Sequence, residues 1–166
     1  MNDNEFNTCE PLAYFITWTT YGTWLPGDKR GWNRKRIGDI QAANPASENA
    51  ARKKMTETEF LMIDQHRELV TETIQRHCKI RGWHLHAVNP RSNHVHVVVT
   101  APGYDPKTVR EQLQAWCTRK LKQLVHTRKH FWTEGGSVRF VNTEDELERV
   151  TLYALEAQDK KHIDAE

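Results

Sequence analysis

The sequence predicts a single α/β domain in which helices pack against one antiparallel sheet. Three observations lead there. A length of 166 residues suits one domain with a buried core that needs no covalent staples. Short runs rich in valine, threonine and aromatics alternate at strand period around Tyr14, Leu85, Val95 and Val138. Stretches with apolar residues three and four apart lie between and after them, giving the order strand, long helix, strand, strand, helix, strand, helix.

Residues 1–11 are polar and read as a frayed tail without the basic and apolar regions of a signal peptide. No apolar run approaches the roughly 20 residues that span a bilayer. Cys9, Cys78 and Cys117 are odd in number and scattered, which suggests neither a disulfide framework nor a zinc knuckle. A reducing cytoplasm is the simplest compartment.

Residues 12–20 form the first expected strand, with Tyr14, Ile16 and Trp18 on one face and Phe15, Thr17 and Thr19 on the other. Gly22, Pro26 and Gly27 then mark turns in an aromatic segment that either packs or stacks unpaired bases. Residues 29–54 follow no regular period. They carry Arg30, Arg34, Lys35, Arg36, Arg52, Lys53 and Lys54, interrupted by Gly31, Gly38 and Pro45. So long a connection binds something, contains short helices or is disordered, and this one reads as a basic excursion that contacts nucleic acid or closes over a site.

A helix is expected from Met55, with Thr56 as cap, Glu59 at its third position, and Phe60, Ile63, Val70, Ile74 and His77 at helical spacing up to Gly82. His66 and His77 read as core-edge or surface residues. The strand at 83–89 places Trp83, Leu85 and Ala87 on one face and His84, His86 and Val88 on the other. A short turn at 89–93 makes the next strand its antiparallel neighbour.

That next strand contains His94-Val95-His96-Val97-Val98-Val99. His94 and His96 share a face roughly 6.5–7 Å apart along the strand, close enough to converge on one divalent ion or one phosphate. Two partly exposed strand histidines would give the same pattern. His84 and His86 have the same spacing, so spacing does not choose between the pairs.

Asp105 caps a helix with Pro106 at its first position, and Val109, Leu113, Trp116, Leu121 and Leu124 follow in steps of three and four. Trp116 and Cys117 are expected in the core. Net charge is only +2 and the pI about 8.4, yet residues 107–129 hold seven Lys or Arg against one acid, whereas 144–166 hold eight acids against three bases. The basic run either steers a phosphate backbone or is a solvated helix face.

Phe131-Trp132-Thr133-Glu134-Gly135-Gly136 precedes the last strand, with Glu134 an ordinary turn carboxylate, a support behind a metal-binding site or an aid to orienting nucleic acid. Residues 137–141 supply a strand in which Val138 and Phe140 oppose Arg139 and Val141. Thr143 and Glu146 make a capping box for a last helix. Leu147, Val150 and Ala154 form its packing stripe, and Tyr153 lies at the stripe's edge.

The tryptophan strand Gly82-Trp83-His84-Leu85-His86-Ala87-Val88, the turn, the His94-Val95-His96 strand and the later helix with Tyr153 together resemble the IS200-like single-tyrosine transposases. The branch associated with repetitive extragenic palindromes is the nearest. The resemblance runs from about Tyr14 to Gln158 and covers the basic insertion at 29–54 poorly. It implies a ferredoxin-like, HUH-type domain over 12–160, with a second tail at 161–166. The family's motif sits in the second strand of the pair, which selects His94 and His96 as ligands of Mg²⁺ or Mn²⁺ and leaves His84 and His86 a supporting or phosphate-binding part.

The implied chemistry is attack by Tyr153 on single-stranded DNA, forming a 5′-phosphotyrosine and releasing a 3′-OH that can later reverse the step. Relatives place a polar amide one turn after the tyrosine; here that position is Ala157. Glu156, about 60° from Tyr153 around an ideal helix, is the first substitute as an oxygen ligand. Gln158, about 140° away, is the second, and water is a third. Arg34, Lys35, Arg36, Arg119, Lys120, Lys122, Arg128 and Lys129 are the expected DNA contacts. The resemblance further implies a cytoplasmic, DNA-associated protein bound to single-stranded or hairpin DNA and to no membrane, a monomer before a homodimer. Its alternative is an inactive member that binds hairpin DNA or RNA without cleaving it.

Overall fold

A computed structural model describes residues 10–30, 32–33 and 40–157. In chain order the elements are β1 (Ala13–Thr19), β2 (Trp32–Asn33), β3 (Ile40–Gln41), α1 (Pro45–Lys54), α2 (Asp64–Arg81), β4 (His84–Pro90), β5 (His94–Thr100), α3 (Pro106–Leu124), β6 (Ser137–Val141) and α4 (Glu144–Glu156). The main sheet has the order β4-β5-β1-β6, and every neighbouring pair is antiparallel. β2 and β3 form a separate two-stranded ribbon. Helices cover both faces, as expected for an α/β domain of this element order.

Strand parity assigns the two faces. Ile16, Trp18, Val95, Val97 and Val99 turn towards α2 and α3, where they meet Val70, Ile74, Val109, Leu113, Cys117 and Leu121. Ala13, Val98 and Val141 turn the other way and, among the described residues, meet Val150 and Ala154 of α4, with Ala87, Phe15 and Leu147 beside them. The α2/α3 layer is thus a thick apolar core, whereas α4 sits on a thin one. α4 itself begins as its capping box predicts, with the Thr143 hydroxyl accepting from the Glu146 backbone N–H at 3.2 Å.

Three expectations give way to the structure, and one left open is decided. Ala87 does not share a face with Leu85, because the pairing register with β5 shifts between them. The extra residue, His86, is a bulge that reverses the parity of everything after it. Ala87 therefore joins the α4 side, and Leu85 and Val88 the other.

The helix expected at Met55 starts only at Asp64. Phe60 and Met62 are buried while Leu61 and Ile63 are exposed, a period of two that no helix satisfies. The backbone of this segment bonds outward instead, Phe60 N–H to the Tyr21 carbonyl at 2.8 Å and Met62 N–H to the Ser92 carbonyl at 2.7 Å. Conversely, part of the irregular basic stretch is helical. Asn44 caps α1 by accepting from the Ser47 N–H at 3.1 Å, Pro45 occupies its first turn, and Arg52, Lys53 and Lys54 close it.

Finally, Trp116 is 41% exposed and not a core residue. The buried stripe of α3 runs in steps of four through Val109, Leu113, Cys117 and Leu121, leaving Trp116 on its shoulder under the Arg119 guanidinium, 4.6 Å from the ring centre. Among the described residues no helix is long and apolar enough to cross a membrane.

Candidate active site

His94 and His96 occupy the α4 face of β5, one residue from the turn that joins it to β4. Both are buried, 1% and 5% exposed, and their rings meet edge to face with centroids 4.6 Å apart. Each is oriented through Nδ1. The Asn93 side-chain oxygen lies 2.7 Å from Nδ1 of His94, and because an amide oxygen only accepts, that nitrogen donates and neutral His94 carries its lone pair on Nε2. The Thr17 hydroxyl engages Nδ1 of His96 at 2.7 Å from the opposite position on β1.

Oriented imidazoles of this kind suit a divalent cation, since a metal-binding histidine ordinarily holds its second nitrogen in such a hydrogen bond. Two nitrogen donors fit Mn²⁺, or Mg²⁺ with the remaining positions filled by oxygen from phosphate or water. Among the described residues no third His, Cys, Asp or Glu gathers with them into a metal-binding group. Glu156 is exposed in the last turn of α4, and Gln158 lies outside the described residues.

Tyr153 comes to this face from α4. It is 61% exposed, its ring centroid 6.0 Å from that of His96 and, edge-on, 6.0 Å from that of Phe15. Val150 and Ala154 bury themselves against the sheet and leave the tyrosine at the helix margin above β5 and β1. A phenol, two imidazoles and a hydroxyl therefore share one surface of the sheet. The other histidine pair stands apart on β4, His84 and His86 with ring centroids 4.3 Å apart. The Thr100 hydroxyl gives its proton to the Leu12 carbonyl and so accepts from Nε2 of His86 at 2.8 Å. Burial first, and then the neighbouring His84, hold His86 below the ordinary histidine pKa.

The basic residues do not gather at this surface. Arg119, Lys120 and Lys122 ride on α3, which covers the opposite face of the sheet. Lys120 lines an open groove of about 790 Å³ between α2 and α3, along with Arg76, Arg81 and Trp116. Arg128 is turned inward, donating to the carbonyls of Thr58, Glu59 and His130 and pairing with Glu57 at 3.5 Å. Lys129 is exposed, its backbone N–H held by Glu57. Arg34, Lys35 and Arg36 lie outside the described residues.

Residues 53–156, more than half of the chain, match the family model described as Transposase IS200 like. The chain belongs to the IS200-like transposase family. Among solved structures, this IS200-like chain resembles a candidate transposase from Deinococcus radiodurans R1, with 13% identity and a TM-score of 0.52 over 86% of this chain and 88% of that one. It also resembles a REP-associated tyrosine transposase bound to a REP hairpin, with 12% identity and a TM-score of 0.52. The match covers 86% of this chain but 63% of that one. These likenesses cover more of the chain than the family model does. No curated protein matches the sequence significantly.

Three residues at or beside this candidate surface were not singled out by sequence: Thr17, Asn93 and Asn89, the last being the strand partner of His96. Thr17 was readable, since parity put it on the face with Phe15 and its antiparallel partner is His96. Asn93 carried the weaker signal of a turn residue directly before the histidine strand. Asn89 carried none, because the bulge at His86 decides which way it points.

Proposed function

We propose that the chain cleaves single-stranded DNA and transfers the cut strand through a 5′-phosphotyrosine on Tyr153. The observation that carries this reading is the approach of the Tyr153 ring to His96 on the thinly covered face of the sheet, in a chain of the IS200-like family. His94 and His96 would hold Mg²⁺ or Mn²⁺, which when bound would supply charge neutralisation at a phosphate. The Tyr153 oxygen bonds to phosphorus as the phosphorus–O3′ bond breaks; the phenol proton passes to solvent, and the departing 3′-oxygen takes one up as a 3′-OH. One phosphate ester replaces another, so no high-energy cofactor is needed, and attack by a 3′-OH on the phosphotyrosine runs the step backwards. Thr17 and Asn93 hold the imidazoles in place throughout. Lys and Arg side chains position the strand by its phosphates.

Incubating the protein with Mn²⁺ and end-labelled single-stranded DNA bearing a hairpin should yield a denaturation-resistant adduct that peptide mass spectrometry places on Tyr153. Tyr153→Phe keeps the ring and removes the attacking oxygen, so the adduct should vanish while DNA binding persists. An adduct on Tyr21 or Tyr104, or undiminished cleavage by Tyr153→Phe, would reassign the nucleophile.

A second reading is a non-cleaving binder of hairpin DNA or RNA. It is favoured by Ala157, which stands at the C-cap of α4 and offers no side-chain ligand. Competition among single-stranded DNA, hairpin DNA and matched RNA at one salt concentration separates the two, with binding but no adduct under any metal as its signature.

A further inference from the structure

We infer that Asn89 is a positioning residue, whose side-chain amide caps the C-terminus of α4 and so sets where Tyr153 stands relative to His96. The inference rests on the proposed role of Tyr153 for its catalytic consequence, although the capping itself does not.

A helix ends with four backbone carbonyls that have no partner within it. Among the described residues α4 shows none of the usual local remedies. Its C-cap, Ala157, is extended at φ −57° and ψ 131° instead of left-handed, and its last turn contains no basic residue. The remedy comes from across space. The Asn89 amide nitrogen, which has two protons to donate, lies 2.8 Å from the Ala154 carbonyl and 3.2 Å from the Ala157 carbonyl, with Leu155 more distant at 3.5 Å. Ala154 is the residue after Tyr153.

Asn89 is also the antiparallel partner of His96 on the neighbouring strand. One side chain therefore links the peptide following the candidate nucleophile to the sheet position beside the candidate metal ligand. Only the bulge makes this geometry available. With regular alternation Asn89 would follow Leu85 onto the α2/α3 face, but the extra residue at His86 turns it towards α4. Apolar packing cannot substitute for the link. α4 buries Val150 and Ala154, while Leu152 and Leu155 are each 55% exposed, so beyond Ala154 the described helix has little apolar hold on the sheet.

The test compares wild type with Asn89→Ala and Asn89→Asp, the second being isosteric but without donors while ionised. Two readouts need no activity: the hydrogen-exchange rates of the last-turn amides of α4, and the nuclear Overhauser contact between the Tyr153 and His96 rings. Both variants should exchange those amides at least tenfold faster and lose the ring contact, with circular dichroism unchanged. In the adduct assay their rates at saturating DNA should fall at least tenfold, with DNA affinity within twofold of wild type, because misplacing a reacting group slows the step without weakening remote binding. Wild-type exchange and an intact ring contact in Asn89→Ala would overturn the inference. Should the wild type form no adduct, the proposed reaction fails, and the two spectroscopic readouts still decide the capping.

Discussion

Thr17 and His96 face each other across antiparallel strands, and the Thr17 hydroxyl sits 2.7 Å from the imidazole Nδ1. The backbone ladder that aligns the two strands thus also fixes the ring, and Asn93 does the same for His94 from the adjoining turn. Neither imidazole needs a bound ion to find its orientation. A site prepared in this way loses little conformational entropy when it is filled.

Mn²⁺ should broaden the resonances of His94 and His96 in wild type. Changing both to alanine should abolish the titration while the far-ultraviolet spectrum stays near wild type. Equal binding by the folded double variant would transfer the site to His84 and His86.

Arg128 should behave as a residue of the fold. Its guanidinium donates to three carbonyls, pairs with Glu57 and lies 5.2 Å from the centre of the Phe60 ring. Arg128→Ala should lower unfolding free energy by about 1–3 kcal/mol in urea titrations, the range for losing a largely buried network. Lys129→Ala, an exposed change, should stay within about 0.5 kcal/mol of wild type. Unaltered stability with a large loss of DNA affinity would assign Arg128 to phosphate instead.

Replacing Lys120 and Lys122 by alanine should weaken binding to several unrelated single strands alike. The slope of log affinity against log salt should flatten by roughly 0.7 for each phosphate contact removed. A loss confined to one sequence, at unchanged slope, would indicate that these side chains read bases.

Stability should fall on the acid side of neutrality, with His86 one source. Its folded pKa lies below the ordinary histidine value of about 6.5, through burial and then His84, while Glu144 opposes both more weakly. As pH drops past about 6.5 the unfolded chain takes up the proton first, so stability that is complete above that value is lost as pH falls through the folded pKa. His66 is lowered by burial in the same sense. Urea midpoints measured at about pH 5 and pH 7.5 should differ less in His86→Gln than in wild type; an equal difference would remove His86 from the account.

Much of this was legible in the sequence because strand parity and helix caps are local. The face shared by His94 and His96, the stripe of α4 with Tyr153 at its edge, and the Thr143–Glu146 cap all follow from neighbouring residues. The signals for α1 were also present in Asn44, Pro45 and the terminal basic residues, but the glycines and basic charge around them suggested disorder of pattern. Residues 60–63 were assigned to a helix because Phe60, Leu61, Met62 and Ile63 are all apolar and such a run satisfies either period, and the backbone bonds to Tyr21 and Ser92 decide the matter from far along the chain. The bulge was hidden for the same reason. His-Leu-His-Ala-Val alternates acceptably in both phases, and only the fixed register of β5 shows that one residue is extra.

The sheet also partitions the molecule. Tyr153 and the histidine pair look out from one side, and Arg119, Lys120 and Lys122 from the other, with edges at β4 and β6 between them. A nucleic acid engaging both sides has to pass round an edge, and its own backbone then serves as the tether between two weak attachments. Affinity in such an arrangement depends on tether length: it is negligible when the strand is too short to span, greatest when the strand just reaches, and declines as slack accumulates. For a nucleic acid held on both sides, oligonucleotide length would then act as a ruler, with a threshold set by the thickness of the layers and not by any base.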